Sequence, residues 1–466
     1  MEAILVSGFG MLSVAVLIYM LIKKNDVKMT LLGLGIFLMY AALFLGKTIK
    51  ITMTTGSRWL DPFQAVIERF SDVLVGPGFV ILILGGYSAY MSHIGANQIT
   101  VHALTKPLHH IRSLYILVPI VFLLGNLLSL VIPSASNLAI ILLTTLYPVL
   151  RTAGMSRLTA AAIIGTTATI IPTPLGSDNV AVANELGMPV AQYVFQYHAI
   201  VSLPTLLLIA VIHYLWQKRA DRKNQESLSY QDELATYSPS EKPQPLGNLS
   251  KASYLLYSIL PVLPILILLF VFICNGIWHT KLNLSAQIVS LLSFTVAVPI
   301  ELFRKRQIKS VLNGTNAFFT GMGNAMGIVA LTFAAQTFVK GLTSIGVIDL
   351  VQNTMKQADS AGILLPIILV AFTAVIVLLT GDGTAVIFAL IPLIVPLAKA
   401  AGVQPEALSV PVQLSGNLLR SVSPVAAVIV IVAGATHLSP MKIIYRTSVP
   451  MFAGVFISLI LSLLLF

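Results

Sequence analysis

Arg420, Asp178 and Asp382 are charged side chains inside apolar stretches, where charge is expensive. Arg420 follows Ser415-Gly416-Asn417 within an apolar run. Centring a guanidinium in hydrocarbon costs roughly 2.5–3.5 kcal/mol or more. Its planar fork matches a carboxylate through two hydrogen bonds; the alternative is a structural ion pair with Asp178 or Asp382. Those two are the intramembrane acids. A buried carboxylate binds a cation or holds a proton, and either suits a coupling site. Equally, each acid can neutralise Arg420 or cap a half-helix. Asp382 sits between Gly381 and Gly383, where close backbone approach is easy.

These residues belong to four interruptions of apolar runs: Pro133 to Asn137, Ile171 to Asn179, Thr380 to Thr384, and Gln413 to Pro424. Unwound backbone in hydrocarbon costs several kcal/mol per unpaired group, so it persists only where protein, water or ligand satisfies it. Broken helices also aim N-terminal amides at the break, which suits an anion. One such break reads as a proline or glycine kink; four at matching places read as one anion pocket. Its candidate ligands are Ser134, Ser136, Asn137, Thr173, Gly176, Ser177, Thr380, Gly381, Gly383, Thr384, Ser415, Gly416, Asn417, Arg420, Ser421 and Ser423. Asp178, Asn179 and Asp382 are the candidate coupling-ion residues.

The elements that position them are set by composition. The 466 residues are 57% hydrophobic and 10% charged, with mean hydropathy +0.91. A soluble domain carries about 25% charge, so a soluble enzyme is excluded. Apolar runs of about 20 residues are bilayer-spanning helices, and their lack of alternation excludes an outer-membrane barrel. The net charge of +11 reads as Lys and Arg holding cytoplasmic loops, not as a nucleic-acid surface. Cys274 is the single cysteine, the histidines show no metal-ligand spacing, and there is no phosphate-binding loop. The first apolar run is expected to stay as a helix. No cofactor is expected, and no metal beyond a coupling sodium ion; a proton is the alternative ion.

Apolar segments fall near 4–22, 30–46, 73–92, 113–150, 158–182, 190–215, 253–273, 283–303, 323–343, 363–398, 408–432 and 448–466. Segments 113–150 and 363–398 are too long for one span, and each is either two crossings or one re-entrant hairpin. With two hairpins, ten crossings remain and both termini are periplasmic; 19 Lys/Arg then lie in inner loops and 7 in outer ones. Two crossings in place of each hairpin keep the same parity. Tyr147-Pro148 to Ala153-Gly154 aligns with Val395-Pro396 to Ala401-Gly402 at an offset of 248, and His93-Ile94-Gly95 aligns with Ser344-Ile345-Gly346 at 251. The predicted fold is therefore an all-α polytopic membrane protein of two inverted repeats. Each has five crossings, including one broken helix, and one re-entrant hairpin. The repeats are 1–216, with scaffold 1–50 and transport part 73–182, and 253–466, with scaffold 253–303 and transport part 323–432. A flexible cytoplasmic linker, 217–252, joins them. Segments 95–112 and 305–320 read as interfacial helices or elbows, and Lys340 as a side chain snorkelling to the interface.

The chain resembles the DcuC-type C4-dicarboxylate transporters, bacterial inner-membrane carriers of anaerobic metabolism. The resemblance rests on Gly86-Tyr87 through His93-Ile94-Gly95-Ala96-Asn97, Ser134-Ala135-Ser136, Ala168 to Asp178, Asn417 to Pro424, and Arg446-Thr447-Ser448-Val449-Pro450. It implies succinate, fumarate or malate as substrate, moved by ATP-independent exchange, uptake or efflux. It implies a dimerising scaffold and an elevator-like mobile domain. Carried over, Ser134, Ser136, Asn137 and 417–423 with Arg420 would hold carboxylates. The family's second tip is a neutral Gly-Ser-Gly-Asn type, whereas this chain carries Gly381-Asp382-Gly383-Thr384. An added acid beside a dianion repels it unless protonated or paired with a cation.

The expected function is secondary transport of a C4-dicarboxylate across the inner membrane, with the lipid bilayer and a second copy as partners and no nucleic acid. The alternatives are transport of another organic anion and sodium/proton antiport. An intramembrane hydrolase lacks a membrane-embedded Ser/His pair, and a non-transporting receptor is separable only by flux.

Overall fold

A computed structural model describes residues 2–106, 108, 115–132, 134–224, 250–279, 282, 284–355 and 361–466. Every regular element among them is helical. The first half comprises α1 (Glu2–Ile22), α2 (Val27–Phe44), α3 (Asp61–Val73), α4 (Phe79–His93), α5 (Ala96–Thr105), α6 (Leu117–Ser129), α7 (Ala135–Thr145), α8 (Tyr147–Thr152), α9 (Arg157–Gly165), α10 (Ser177–Glu185), α11 (Val190–Gln192) and α12 (Ala199–Asn224). The second comprises α13 (Lys251–Ile259), α14 (Leu263–Trp278), α15 (Ala286–Lys305), α16 (Ile308–Gly314), α17 (Asn316–Ile345), α18 (Val347–Met355), α19 (Ala361–Thr380), α20 (Gly383–Ala401), α21 (Pro405–Leu419), α22 (Ala427–Thr436) and α23 (Pro440–Leu465).

The two halves share one element order. In each, a long helix ends at a left-handed glycine: Gly95 (φ 79°) after α4 and Gly346 (φ 88°) after α17. Only glycine takes that conformation freely. A short helix follows, α5 or α18. Two helix–break–helix elements come next, and then a terminal helix of 26 residues, α12 or α23. Two matched pairs, α4 with α17 and α12 with α23, run antiparallel. Along α4, Gly78 faces Val329, and Gly85 faces Gly321 and Ala325, while a Cβ on Gly86 would lie 2.8 Å from the Phe318 carbonyl. Between α12 and α23, the Tyr197 and Phe466 rings meet at 5.6 Å at one end. Trp216 and Tyr445 meet at 5.5 Å at the other.

Among the described residues, eleven helical stretches are long and apolar enough to cross a membrane. That differs from the ten crossings expected: both arms of the second predicted hairpin are among the eleven, whereas the broken segment 158–182 is not. The arms of the first, α6 and α7, have 13 and 11 residues, about 20 Å at 1.5 Å per residue, short of a bilayer core of about 30 Å. The arms of the second, α19 and α20, have 20 and 19 residues, each of spanning length. Large apolar side chains such as Phe37, Phe44, Leu207, Phe270, Phe319, Ile368 and Phe456 stand exposed on these helices, which in a multi-pass protein is the lipid-facing surface.

The first residues of the predicted linker correct that expectation: 217–224 continue α12 instead of unwinding. The physical cause is pairing. Asp221 Oδ1 lies 2.8 Å from Nη2 of the fully buried Arg446 and accepts from Ser156 Oγ at 2.8 Å. Asp221 Oδ2 accepts from Thr159 Oγ1 at 2.9 Å, and Gln217 Nε2 donates to the Arg446 carbonyl at 2.9 Å. With its charge satisfied, this turn packs as helix. The rest of the linker to 249 lies outside the described residues, as do Pro133 and residues 107 and 109–112 of the first predicted elbow. Of the elbows, α5 and α16 are helical. Lys340 Nζ donates to the carbonyl of Lys50.

Candidate dicarboxylate site

All four interruptions border one cavity of about 560 Å³, within the roughly 300–1,000 Å³ usual for small-molecule sites. Four helices start at its wall. Ser134, Ala135 and Ser136 open α7; Ser177 opens α10; Asp382, Gly383 and Thr384 open α20; Ala426, Ala427 and Val428 open α22. Each start presents amides that lack helical partners and the positive end of a helix dipole. Thr380, Gly381, Val425 and Ile328 complete the wall, and Arg420 is its one cation among the described residues.

The local chemistry explains these starts. Ser134 Oγ accepts from the Asn137 amide at 3.4 Å, and Asp382 Oδ1 accepts from the Ala385 amide at 2.9 Å; both are N-cap bonds. Gly381 turns at φ 75° against Val425 and Ala426, where any Cβ would collide with backbone at 2.6 Å. Ser423 Oγ donates to the Leu378 carbonyl at 2.9 Å, tying the second tip to the second break.

Arg420 forms no ion pair among the described residues. Its Nη2 donates to the carbonyl of Ala168, its Nε is buried without a partner, and the side chain reaches the cavity. Ala168 holds φ 59°, a left-handed conformation costing a β-carbon residue roughly 1–2 kcal/mol. The strain aims its carbonyl at the guanidinium. Asp178 is taken up elsewhere: Oδ1 accepts from the Asn179 amide at 3.0 Å and Oδ2 from Asn417 Nδ2 at 2.9 Å. Asp382, by contrast, is exposed at the cavity wall. Of the two arrangements open for Arg420, the structure adopts the one that leaves the guanidinium unpaired beside the cavity.

Of the residues expected at the pocket, Ser134, Ser136, Ser177, Thr380, Gly381, Asp382, Gly383, Thr384 and Arg420 line the cavity. Asn137, Thr173, Gly176, Asp178, Asn179, Ser415, Gly416, Asn417, Ser421 and Ser423 do not line it, and Asn137 is exposed. Thr173 Oγ1 accepts from the Leu175 amide at 3.2 Å and Ser415 Oγ donates to the Val412 carbonyl at 2.8 Å, so both serve the backbone. Gly416 packs against Gly383, and the Ser421 hydroxyl is buried without a partner. Sequence reasoning missed the start of α22, which is wholly apolar and so carries no polar signal. It also missed Asn126, whose Oδ1 accepts from the amides of Thr169 and Ile170 at 3.0 Å each. Its signal was an amide inside the apolar run of α6. Among the described residues, no three His, Cys, Asp or Glu side chains gather where they could hold a metal ion.

Residues 6–466 match the family model DcuC, described as C4-dicarboxylate anaerobic carrier. The chain belongs to this family. A relative from Vibrio cholerae, described as a probable anaerobic C4-dicarboxylate transporter DcuC, is 33% identical over 94% of this chain and 92% of its own length. The anaerobic C4-dicarboxylate transporter DcuC of Escherichia coli K12 is 33% identical over 82% of this chain and 79% of its own. In structure the chain is similar to the YdaH transporter of Alcanivorax borkumensis, with a TM-score of 0.64 at 15% identity, covering 94% of this chain and 97% of that one; at that identity the likeness speaks for the fold. The chain is thus a multi-pass membrane protein of a transporter family, not an enzyme.

Proposed function

We propose that this protein carries C4-dicarboxylates such as succinate, fumarate and malate across the bacterial inner membrane, as a secondary active transporter. The observation that carries the proposal is the convergence of four helix N-termini and the unpaired Arg420 on one cavity. A dianion needs two anion-binding ends. Paired helix starts supply amides and dipoles for each carboxylate, and the guanidinium fork supplies a charge-assisted pair of hydrogen bonds to one of them. Family membership supports the same substrate class.

The transport cycle is an elevator movement of the hairpin and broken-helix parts, 73–182 and 323–432, against the scaffold, 1–50 and 253–303. The halves are inverted repeats with 113–150 and 363–398 entering and leaving on one face. The shared element order and the antiparallel pairs α4–α17 and α12–α23 support inversion. Both termini face the periplasm, the linker lies in the cytoplasm, and the protein works as a homodimer. Asp382, exposed beside Arg420, takes a proton or sodium ion as the dianion binds, with Asp178 and Asn179 behind it.

The test is flux of labelled succinate into proteoliposomes, with unlabelled acids as competitors and sodium and pH varied. Competition by fumarate and malate but not by monocarboxylates supports the proposal. Sodium/proton exchange without any organic acid would point to an antiporter instead.

A further inference from the structure

We propose that Tyr193 is a positioning residue for the carboxylate site, acting through Gln413 on Asn179. Tyr193 is the first residue of a π-helical turn, Tyr193–His198, between α11 and α12. Such turns carry an inserted residue and recur at functional sites. Its ring is fully buried, and its hydroxyl donates to Gln413 Oε1 at 2.8 Å. Gln413 Nε2 then donates to Asn179 Oδ1 at 2.6 Å. Asn179 Nδ2 in turn donates to the carbonyls of Ile171 and Thr173 at 2.9 and 2.8 Å.

This relay has a direction. A phenol has one proton to donate, and giving it to Gln413 Oε1 leaves the glutamine NH2 facing Asn179. The asparagine must then present its oxygen to the glutamine and its NH2 to the unwound chain. Those two carbonyls lie in the stretch that leads into α10, whose first residue, Ser177, lines the cavity. Gln413 lies on α21, which ends at Arg420. The phenol therefore sets the position of one helix start relative to the guanidinium while touching neither substrate nor cavity. Without it, the Gln413 amide can flip, placing two oxygens face to face and releasing the 171–176 stretch.

The inference rests on the cavity being the dicarboxylate site. The test compares wild type, Tyr193→Phe, Gln413→Met and the double variant in succinate uptake by proteoliposomes. An unsatisfied buried acceptor predicts a succinate KM raised roughly tenfold in Tyr193→Phe, with maximal rate per folded protein within about twofold. Gln413→Met raises KM at least as much, and adding Tyr193→Phe to it changes nothing further. Discrimination of succinate against the longer glutarate narrows in the same variants. An unchanged KM in Tyr193→Phe, or additive effects in the double variant, would overturn the proposal while leaving the site assignment intact. If Tyr193→Phe fails to reach the membrane, Gln413→Met alone decides, because an unchanged KM there breaks the relay. Wild type that moves no dicarboxylate overturns the site assignment itself, and this inference with it.

Discussion

Gly383 at the second tip packs its Cα against the carbonyl of Gly416 in α21, so closely that a Cβ there would lie 2.1 Å from the oxygen. Two backbones from separate broken elements are thereby held in direct contact at the cavity wall. Gly383→Ala must push them apart. Overpacking of this kind costs about 1–3 kcal/mol, and here the displaced atoms include the start of α20. Succinate uptake is expected to fall sharply, with a lowered Tm in detergent. Gly434→Ala is the control, because no atom lies within 4 Å of its added carbon; uptake there stays at the wild-type level.

Arg420 supplies the charge for a carboxylate. Arg420→Ala removes hydrogen bonds of the charged kind, worth roughly 1.5–3 kcal/mol, so succinate KM should rise by about one to two orders of magnitude. Arg420→Lys keeps the charge but lacks the planar fork, and should recover only part of that loss. Labelled-succinate uptake over a concentration series reads both. Normal affinity in Arg420→Ala would remove this residue from the site.

Asp382 has two jobs that one substitution separates. Asn keeps the acceptor that caps α20 through the Ala385 amide but removes the charge. Asp382→Asn should therefore leave Tm unchanged and flatten the dependence of uptake on its coupling ion. Uptake is measured with sodium removed and again across pH, in wild type and variant. An ion dependence identical in the two proteins excludes Asp382 as the coupling residue.

The buried pair between Arg446 and Asp221, neither of which lines the cavity, predicts a stability effect. Removing one partner strands the other charge, which costs about 3–5 kcal/mol. Arg446→Met and Asp221→Leu should each lower Tm strongly, and the double variant should be less destabilised than the sum of the two. Melting in detergent, followed by tryptophan fluorescence, measures all three.

The spans were legible because a helix in lipid must be apolar over about 20 residues, and that demand is written locally. The four interruptions were legible for the converse reason: Ser134, Asp178, Asp382 and Arg420 are conspicuous in runs of Leu, Ile and Val. The limit of the helix α12 was not legible. A stretch holding Lys218, Arg219, Asp221 and Arg222 reads as a solvated linker until Arg446, more than two hundred positions away, is seen to neutralise Asp221. The start of α22 was hidden as well, because backbone amides contribute to a site whatever side chains they carry.

Composition and pattern thus established a polytopic helical membrane protein with paired breaks, since hydrophobicity and backbone satisfaction act residue by residue along the chain. Which of the polar residues at those breaks face the cavity was a matter of assembly. Ser177 and Arg420 reach it, while Asp178 and Asn179 are turned away by Asn417 and Gln413. Those partners come from the other half of the chain, and a hydrogen bond across such a separation exists only once the two halves have packed.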